Sequence, residues 1–121
     1  MAEHNKLGKE SEMRAENYLM AKGHRIIERN WHSTHKELDL ITEQEGWLVI
    51  VEVKTRTGRT WEPSENAVNA AKMKHIAQAA HHYVRMHHID AQVRFDIVSV
   101  VFEQGVWTID HIEDAFLPPH K

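Results

Sequence analysis

Residues 47–56 of the sequence, WLVIVEVKTR, constrain the fold most, because they begin as a buried strand and end in charged side chains. Successive side chains of a strand alternate between its two faces, so Glu52 and Lys54 continue the face of Leu48 and Ile50. A buried carboxylate and a buried ammonium group are costly unless each has a partner. The sequence therefore predicts compensating chemistry opposite the charged end of this strand.

The composition favours one small domain. A chain of 121 residues, of which 41% are hydrophobic, supports a single modest core, and we predict one domain over residues 1–121. The absence of cysteine excludes disulfides and thiolate metal sites and agrees with a reducing compartment. Because we find neither a membrane-spanning segment nor a signal peptide, we expect a cytoplasmic protein without a membrane partner. The net charge of -3 means that any polyanion must meet a local basic patch.

The hydrophobic pattern predicts seven elements in the order α-β-β-β-α-β-β. The first helix covers residues 7–22 and ends at Gly23, and the second begins at Glu65 after the capping residue Ser64. The predicted strands are residues 24–31, 37–42, 47–56, 93–102 and 106–112. A strand order interrupted by a helix is typical of an α/β domain.

Residues 37–42, ELDLIT, alternate in polarity and are expected to form a hairpin with the strand that begins at Trp47. In this pattern Leu38 and Leu40 share one face of the strand, and Asp39 lies on the other face.

The register of this hairpin decides whether two acids meet. A turn centred between residues 44 and 45 places Asp39 opposite Ile50. Asp39 is then diagonal to Glu52, with about 7 to 8 Å between the backbones, a separation at which two carboxylates can bind one cation. A shift of one residue would turn Asp39 to the opposite face of the sheet.

Two helical positions direct further charged groups towards the sheet. In the first helix the apolar stripe through Ala15 extends back to Glu12, which we expect to face inward. A solvated acid in the first turn, favoured by the helix dipole, is the alternative for Glu12. In the second helix Lys72 lies on the apolar stripe, where it either reaches the site or extends past the core with its ammonium in water.

These positions together form a candidate site with the chemistry of phosphodiester hydrolysis. Its members are Glu12, Asp39, Glu52, Lys54 and Lys72. Close carboxylates cannot all ionise without a cation, and oxygen ligands suit Mg²⁺ or Mn²⁺. A lysine beside such an ion can hold a phosphate oxygen or the attacking water. A simple ion pair of Glu52 with Lys54 at the strand end is the alternative.

Asp39 followed by Glu52-Val53-Lys54 resembles the PD-(D/E)xK nuclease signature. The longer pattern resembles the YraN-like family of small bacterial proteins, which is related in fold to Holliday-junction resolvases. The resemblance covers nearly the whole chain, including ELDLI at 37–41, VEVKTR at 51–56, Lys72 and RFD at 94–96. It implies a restriction-endonuclease-like fold, a mixed β-sheet flanked by helices.

The resemblance also implies roles for the site residues. Asp39 and Glu52 would bind Mg²⁺ or Mn²⁺, helped by the backbone carbonyl of Val53. Lys54 would be the catalytic lysine, and Glu12 would be a further acid from the first helix and a possible metal ligand. The expected activity is that of a divalent-metal-dependent endonuclease acting on DNA rather than RNA, with branched or structured DNA as the candidate substrate. A resolvase acts on two strands related by two-fold symmetry, so this interpretation includes a homodimer.

Four basic residues are the candidates for binding nucleic-acid phosphates, namely Arg29, Arg56, Arg59 and Lys72. The alternative is that these residues only lie in a solvated loop and at the surface, without a role in phosphate binding. The alternative function is a non-catalytic module that binds structured nucleic acid or a repair protein and retains the nuclease fold.

Asp96 and the histidines complete the sequence-based expectations. Arg94 lies on the same strand face as Asp96, so we expect an ion pair there first and a role in the site second. The chain has 11 histidines, but none is accompanied by an acid or cysteine at zinc-ligand spacing. We therefore expect them at the surface.

Overall fold

The structure, a computed structural model, describes residues 2–57 and 69–116, with side-chain surroundings from residue 6 onward. Its elements are α1 (Ala2–Ala21), β1 (Arg25–Ser33), β2 (Lys36–Gln44), β3 (Trp47–Thr57), α2 (Ala70–Met86), β4 (Val93–Glu103) and β5 (Val106–Ile112). The predicted order of helices and strands is confirmed. None of the helices in these described residues is long and apolar enough to cross a membrane.

The five strands form one open sheet in the order β1-β2-β3-β4-β5. All neighbours are antiparallel except β3 and β4, which are parallel. A parallel pair needs a crossover connection, and α2 lies in the segment that joins these two strands. The predicted α/β fold with a mixed sheet flanked by helices is confirmed, and β3 is its central strand.

Apolar side chains fill both faces of the sheet. The cluster on the α1 side contains Ala15, Leu19, Leu40, Val49, Val51, Val98 and Val100. The cluster on the α2 side contains Leu38, Ile41, Leu48, Ile50, Ile76, Ala79, Ala80, Tyr83, Phe95 and Ile97. The alternation predicted for β3 is therefore present, and Glu52 continues the face that α2 covers.

The turn between β2 and β3 lies one residue further along the chain than predicted. Glu45 and Gly46 form it with φ values of 52° and 84°, the left-handed conformation of a two-residue hairpin turn. The strands consequently pair as Gln44 with Trp47 and as Ile41 with Ile50, so the prediction that Asp39 lies opposite Ile50 was wrong. The correction moves the pairing by two residues, and a two-residue shift keeps every side chain on its face.

The predicted alternation of β2 breaks at Asp39. Leu38 packs in the α2-side cluster and Leu40 in the α1-side cluster, so the prediction that they share a face was wrong. The pairing of β2 with β3 ends at Leu40 and Val51, although β2 continues beside β1 to Lys36. Asn30 lies across from this point in β1 with a left-handed φ of 49°. Strands β2 and β3 thus separate at Asp39, and we call this position the fork.

The second helix begins later than predicted. Asn69 is its N-cap in an extended conformation, and its side chain accepts a hydrogen bond of 2.9 Å from the amide of Lys72. The prediction that this helix runs from Glu65 through Asn69 was therefore wrong, because an N-cap residue is not helical. The predicted cap at Ser64 lies outside the described residues.

We expect the packing of α1 against the sheet to contribute strongly to the free energy of unfolding. Leu19 is completely buried, so Leu19→Ala should lower the free energy of unfolding by about 2–5 kcal/mol through lost burial and a residual cavity. The neighbouring Met20 is 47% exposed, and Met20→Ala should change it by less than about 0.5 kcal/mol. Urea denaturation followed by circular dichroism measures both. Equal losses would contradict this packing.

Candidate active site

Asp39 is held at the fork by the backbone of β3. The amide of Val53 donates a hydrogen bond of 2.9 Å to Asp39 Oδ2. This amide lies beyond the last pair of the β2–β3 ladder, so the carboxylate binds a donor of β3 where the two backbones no longer pair. The hydrogen bond fixes the carboxyl group beside the strand that carries Glu52.

Glu52 is paired with a lysine from the second helix. Lys72 Nζ lies 3.2 Å from Glu52 Oε2. The Glu52 side chain is only 12% exposed, whereas that of Lys72 is 49% exposed. The sequence left open whether Lys72 reaches the site, and the structure places its ammonium on the carboxylate. Glu52 is therefore paired with Lys72, a half-exposed lysine of the helix that covers this face of the sheet.

The carboxyl groups of Asp39 and Glu52 form a partly buried, interacting pair. Burial, followed by the charge of Asp39, raises the pKa of Glu52 to about 7 despite Lys72. Burial also raises the pKa of Asp39, although the Val53 amide and then Lys72 oppose this shift. A single lysine does not neutralise two acids, so the pair retains a proton at a pH where ordinary carboxyl groups are ionised.

Glu12 does not join this pair as a third buried acid. It is exposed, so the prediction that it faces inward was wrong: the buried stripe of α1 passes through Ser11, Ala15 and Leu19. Partial burial and then the charge of Asp39 raise the pKa of Glu12, so the two groups interact electrostatically. Across the part of the chain described, no three histidine, cysteine, aspartate or glutamate side chains are grouped closely enough to bind a metal ion.

Lys54 follows Glu52 at the exposed end of β3. It is exposed and is paired in register with Ser99 of β4. Val98 and Val100 pack on the α1 side, so Ser99 lies on the other face, as Glu52 does. Ser99 is 1% exposed, and its hydroxyl has no hydrogen-bond partner among the residues that the structure describes. Ser99 was not among the residues predicted for the site, and its only signal was a serine within an apolar strand.

The structure does not gather the predicted phosphate-binding residues into one patch. Arg29 pairs with Glu16 of α1 at 2.8 Å, Arg56 is half-buried on β3, and Lys72 pairs with Glu52. Arg59 lies outside the described residues. Among these described residues, Lys72 contacts the acid pair.

Comparison with known families and sequences identifies the family. The model of the family described as Uncharacterised protein family UPF0102 matches residues 11–100, a range that contains the whole candidate site. The chain belongs to the UPF0102 family. This confirms the membership predicted from the motifs around Asp39 and Glu52.

Curated UPF0102 proteins match this chain over nearly its whole length. The relative from Bacteroides thetaiotaomicron is 48% identical over 119 residues, and the one from Phocaeicola vulgatus is 45% identical over 119 residues. In both cases the match covers 98% of each chain. A UPF0102 protein from Flavobacterium psychrophilum is 41% identical over 116 residues, which is 96% of this chain and 98% of the relative.

The UPF0102 chain also has a fully buried acid, Asp96, whose surroundings are the opposite of those at the fork. Asp96 is completely buried and accepts hydrogen bonds of 2.8 and 2.9 Å from Arg94, 2.8 Å from His111 and 3.1 Å from the amide of Asp114. Burial alone would raise the pKa of Asp96, but the bonds from His111 and Arg94 lower it to about 2. The predicted ion pair of Asp96 with Arg94 is confirmed, and these hydrogen bonds give Asp96 a structural role.

Two histidines of this UPF0102 chain are buried, so the expectation that they lie at the surface was wrong for them. His111 bonds Asp96 through Nε2, and its Nδ1 lies 3.2 Å from the Tyr18 hydroxyl of α1. His24 is 4% exposed, and its Nδ1 lies 2.7 Å from the Thr42 hydroxyl. None of these contacts is visible in sequence spacing, because each joins residues at least 15 positions apart.

The pKa of Glu52 makes the stability of the protein depend on pH in a defined window. A pKa near 7 in the folded state, above the ordinary value of 4.5, means that folding favours the protonated form. The free energy of unfolding should therefore be highest below about pH 4.5 for this group and fall as pH rises to 7. The loss reaches about 3 kcal/mol at most.

Glu52→Gln should flatten the curve of unfolding free energy against pH between pH 5 and pH 7.5. Glu43→Gln is the matched control, because Glu43 pairs with Arg25 at the surface and should leave the wild-type curve unchanged. Urea denaturation at a series of pH values, with EDTA present, measures the three curves. A wild-type curve parallel to that of Glu52→Gln would show that Glu52 titrates normally.

Proposed function

We propose that this protein is a Mg²⁺- or Mn²⁺-dependent endonuclease that hydrolyses phosphodiester bonds in DNA. The observation that supports this most is the partly buried carboxyl pair of Asp39 and Glu52, which lies at a fork in the sheet with incomplete charge compensation. Lys54 follows on the same strand, as the PD-(D/E)xK pattern requires. A structural ion pair alone would need only one acid for Lys72.

The residues at the fork fit a hard divalent ion. Asp39 and Glu52 would hold it through carboxylate oxygens, with the backbone carbonyl of Val53 as a further ligand. Mg²⁺ usually binds proteins through one or two carboxylates and completes its shell with water and substrate phosphate, so a set of two acids is sufficient. When bound, the ion would supply charge to a phosphoryl oxygen and lower the pKa of a water molecule.

The protein groups around this position would orient the substrate and stabilise charge. The Val53 amide holds Asp39 in place before any ligand arrives, so little reorganisation is needed. The ammonium of Lys54 would stabilise negative charge that develops on the phosphoryl oxygens. Glu12, at the exposed edge near Asp39, would add an acid at the solvent side of the site, where it could bind an ordered water.

The substrate class follows from the chemistry of the site and from the overall charge. A net charge of -3 does not favour binding along a uniform duplex, so recognition would rely on the lysines and arginines beside β3. This favours a structured or branched DNA, which presents several phosphates to one place. A two-fold homodimer is part of the proposal for a branched substrate, because such a substrate offers two equivalent strands.

Cleavage assays with matched variants test this function. Purified protein with Mg²⁺ or Mn²⁺ should nick branched or single-stranded DNA, and both Asp39→Asn and Lys54→Ala should reduce the rate by about 100-fold or more. The asparagine can still accept the hydrogen bond from Val53, so Asp39→Asn removes charge and not the anchor. Lys74→Ala, which removes an exposed lysine on α2, should leave the rate unchanged.

The possible outcomes separate the candidate functions. Equal cleavage by the wild type, Asp39→Asn and Lys54→Ala would identify a contaminating nuclease. The absence of cleavage across DNA and RNA panels would contradict an enzyme. DNA binding that then persists in EDTA and in Asp39→Asn would favour the non-catalytic module.

A further inference from the structure

The contact between Lys72 and Glu52 joins an anchored backbone to a movable ammonium group. The Lys72 amide donates to the Asn69 side chain at 2.9 Å, which fixes the first turn of α2. The Lys72 side chain is 49% exposed, and its Nζ lies 3.2 Å from a Glu52 carboxylate that is only 12% exposed. The lysine therefore approaches the acid pair from the solvent side.

We propose that Lys72 is an exchangeable counter-ion, which occupies Glu52 in the metal-free protein and transfers to a substrate phosphate when a divalent cation binds the acid pair. This inference rests on the proposed function. It adds that the protein couples metal binding to nucleic-acid binding through one side chain.

Charge balance at the metal-bound pair favours the exchange. A bound cation displaces the shared proton, so Asp39 and Glu52 are then both ionised and carry two negative charges, to which Lys72 would add one positive charge. A divalent cation neutralises the pair by itself, and a lysine kept within a few ångströms of that cation would be repelled by it. The ammonium should therefore leave Glu52 when the cation enters.

The cost of breaking the contact is small. The cation replaces the lysine as the partner of Glu52, and the half-exposed Lys72 side chain regains water contact and conformational freedom when it is released. The four-carbon stem of Lys72 lets the ammonium move by several ångströms without a change in α2. A phosphate that binds on the solvent side of the cation would then offer Lys72 a new anionic partner.

Two linked binding equilibria follow from this exchange. Removal of the lysine charge should strengthen metal binding, because the cation no longer has to displace a competitor. It should also weaken the effect of metal on nucleic-acid binding, because the released ammonium is absent. By thermodynamic linkage the coupling is the same in both directions, so either ligand can be used to measure it.

Mn²⁺ binding to the DNA-free protein, followed by electron paramagnetic resonance, tests the first consequence. We expect Lys72→Met and Lys72→Gln to bind Mn²⁺ about fivefold more tightly than the wild type. Lys72→Arg keeps a cation that can pair with Glu52 and should bind like the wild type. Lys74→Met removes the same charge from an exposed position of α2 and should also bind like the wild type.

Binding of a fluorescently labelled branched DNA, with and without Ca²⁺ at constant ionic strength, tests the second consequence. Ca²⁺ should strengthen DNA binding by about fivefold or more in the wild type and in Lys74→Met. In Lys72→Met and Lys72→Gln that enhancement should fall to less than half of the wild-type value.

The results distinguish this inference from the proposed function. Equal Mn²⁺ affinity in the wild type, Lys72→Met and Lys72→Gln would overturn the counter-ion exchange and leave the metal site intact. Tighter Mn²⁺ binding in Lys74→Met as well would overturn it too, because the effect would then be general electrostatics. The absence of Mn²⁺ binding in all variants would overturn both the exchange and the proposed metal-dependent function.

Discussion

The hydrogen bond from the Val53 amide to Asp39 is the interaction on which the candidate site depends. It lies where β2 leaves β3, and it binds the carboxyl group to the central strand instead of releasing it to solvent. β3 is paired on its other side with β4 from Leu48 to Thr57, which holds the backbone at Val53 in place. The closeness of Asp39 to Glu52 follows from this anchor, and after burial it is the next cause of the high pKa of Glu52.

Two acidic sites in one small domain illustrate how surroundings decide the protonation of a carboxylate. Asp96 is surrounded by Arg94, His111 and a backbone amide, and these donors hold its pKa at about 2 although it is completely buried. The partly buried acids at the fork have one half-exposed lysine between them, and their pKa values rise. The first arrangement contributes stability that is lost only as pH falls below about 4, whereas the second loses stability as pH rises towards 7.

Much of the fold and of the candidate site could be predicted from the sequence, because it depends on local patterns of polar and apolar residues. The alternation in residues 47–56 predicts that Glu52 shares the face of Leu48 and Ile50, and the structure shows that α2 covers this face. What the sequence could not supply depends on tertiary contacts. The left-handed Glu45–Gly46 turn sets the register, and packing on opposite sides of the sheet separates Leu38 from Leu40. The burial of His24 and His111 likewise depends on strands and a helix that are distant in the chain.

Our central proposal is that the carboxyl groups of Asp39 and Glu52 at the fork bind a divalent cation, and a crystal soaked in Mn²⁺ tests this most directly. The account predicts anomalous density between the carboxyl groups of Asp39 and Glu52, with the Lys72 ammonium moved away from Glu52. A fully soaked crystal without anomalous density at this pair, in which Lys72 still contacts Glu52, would contradict it.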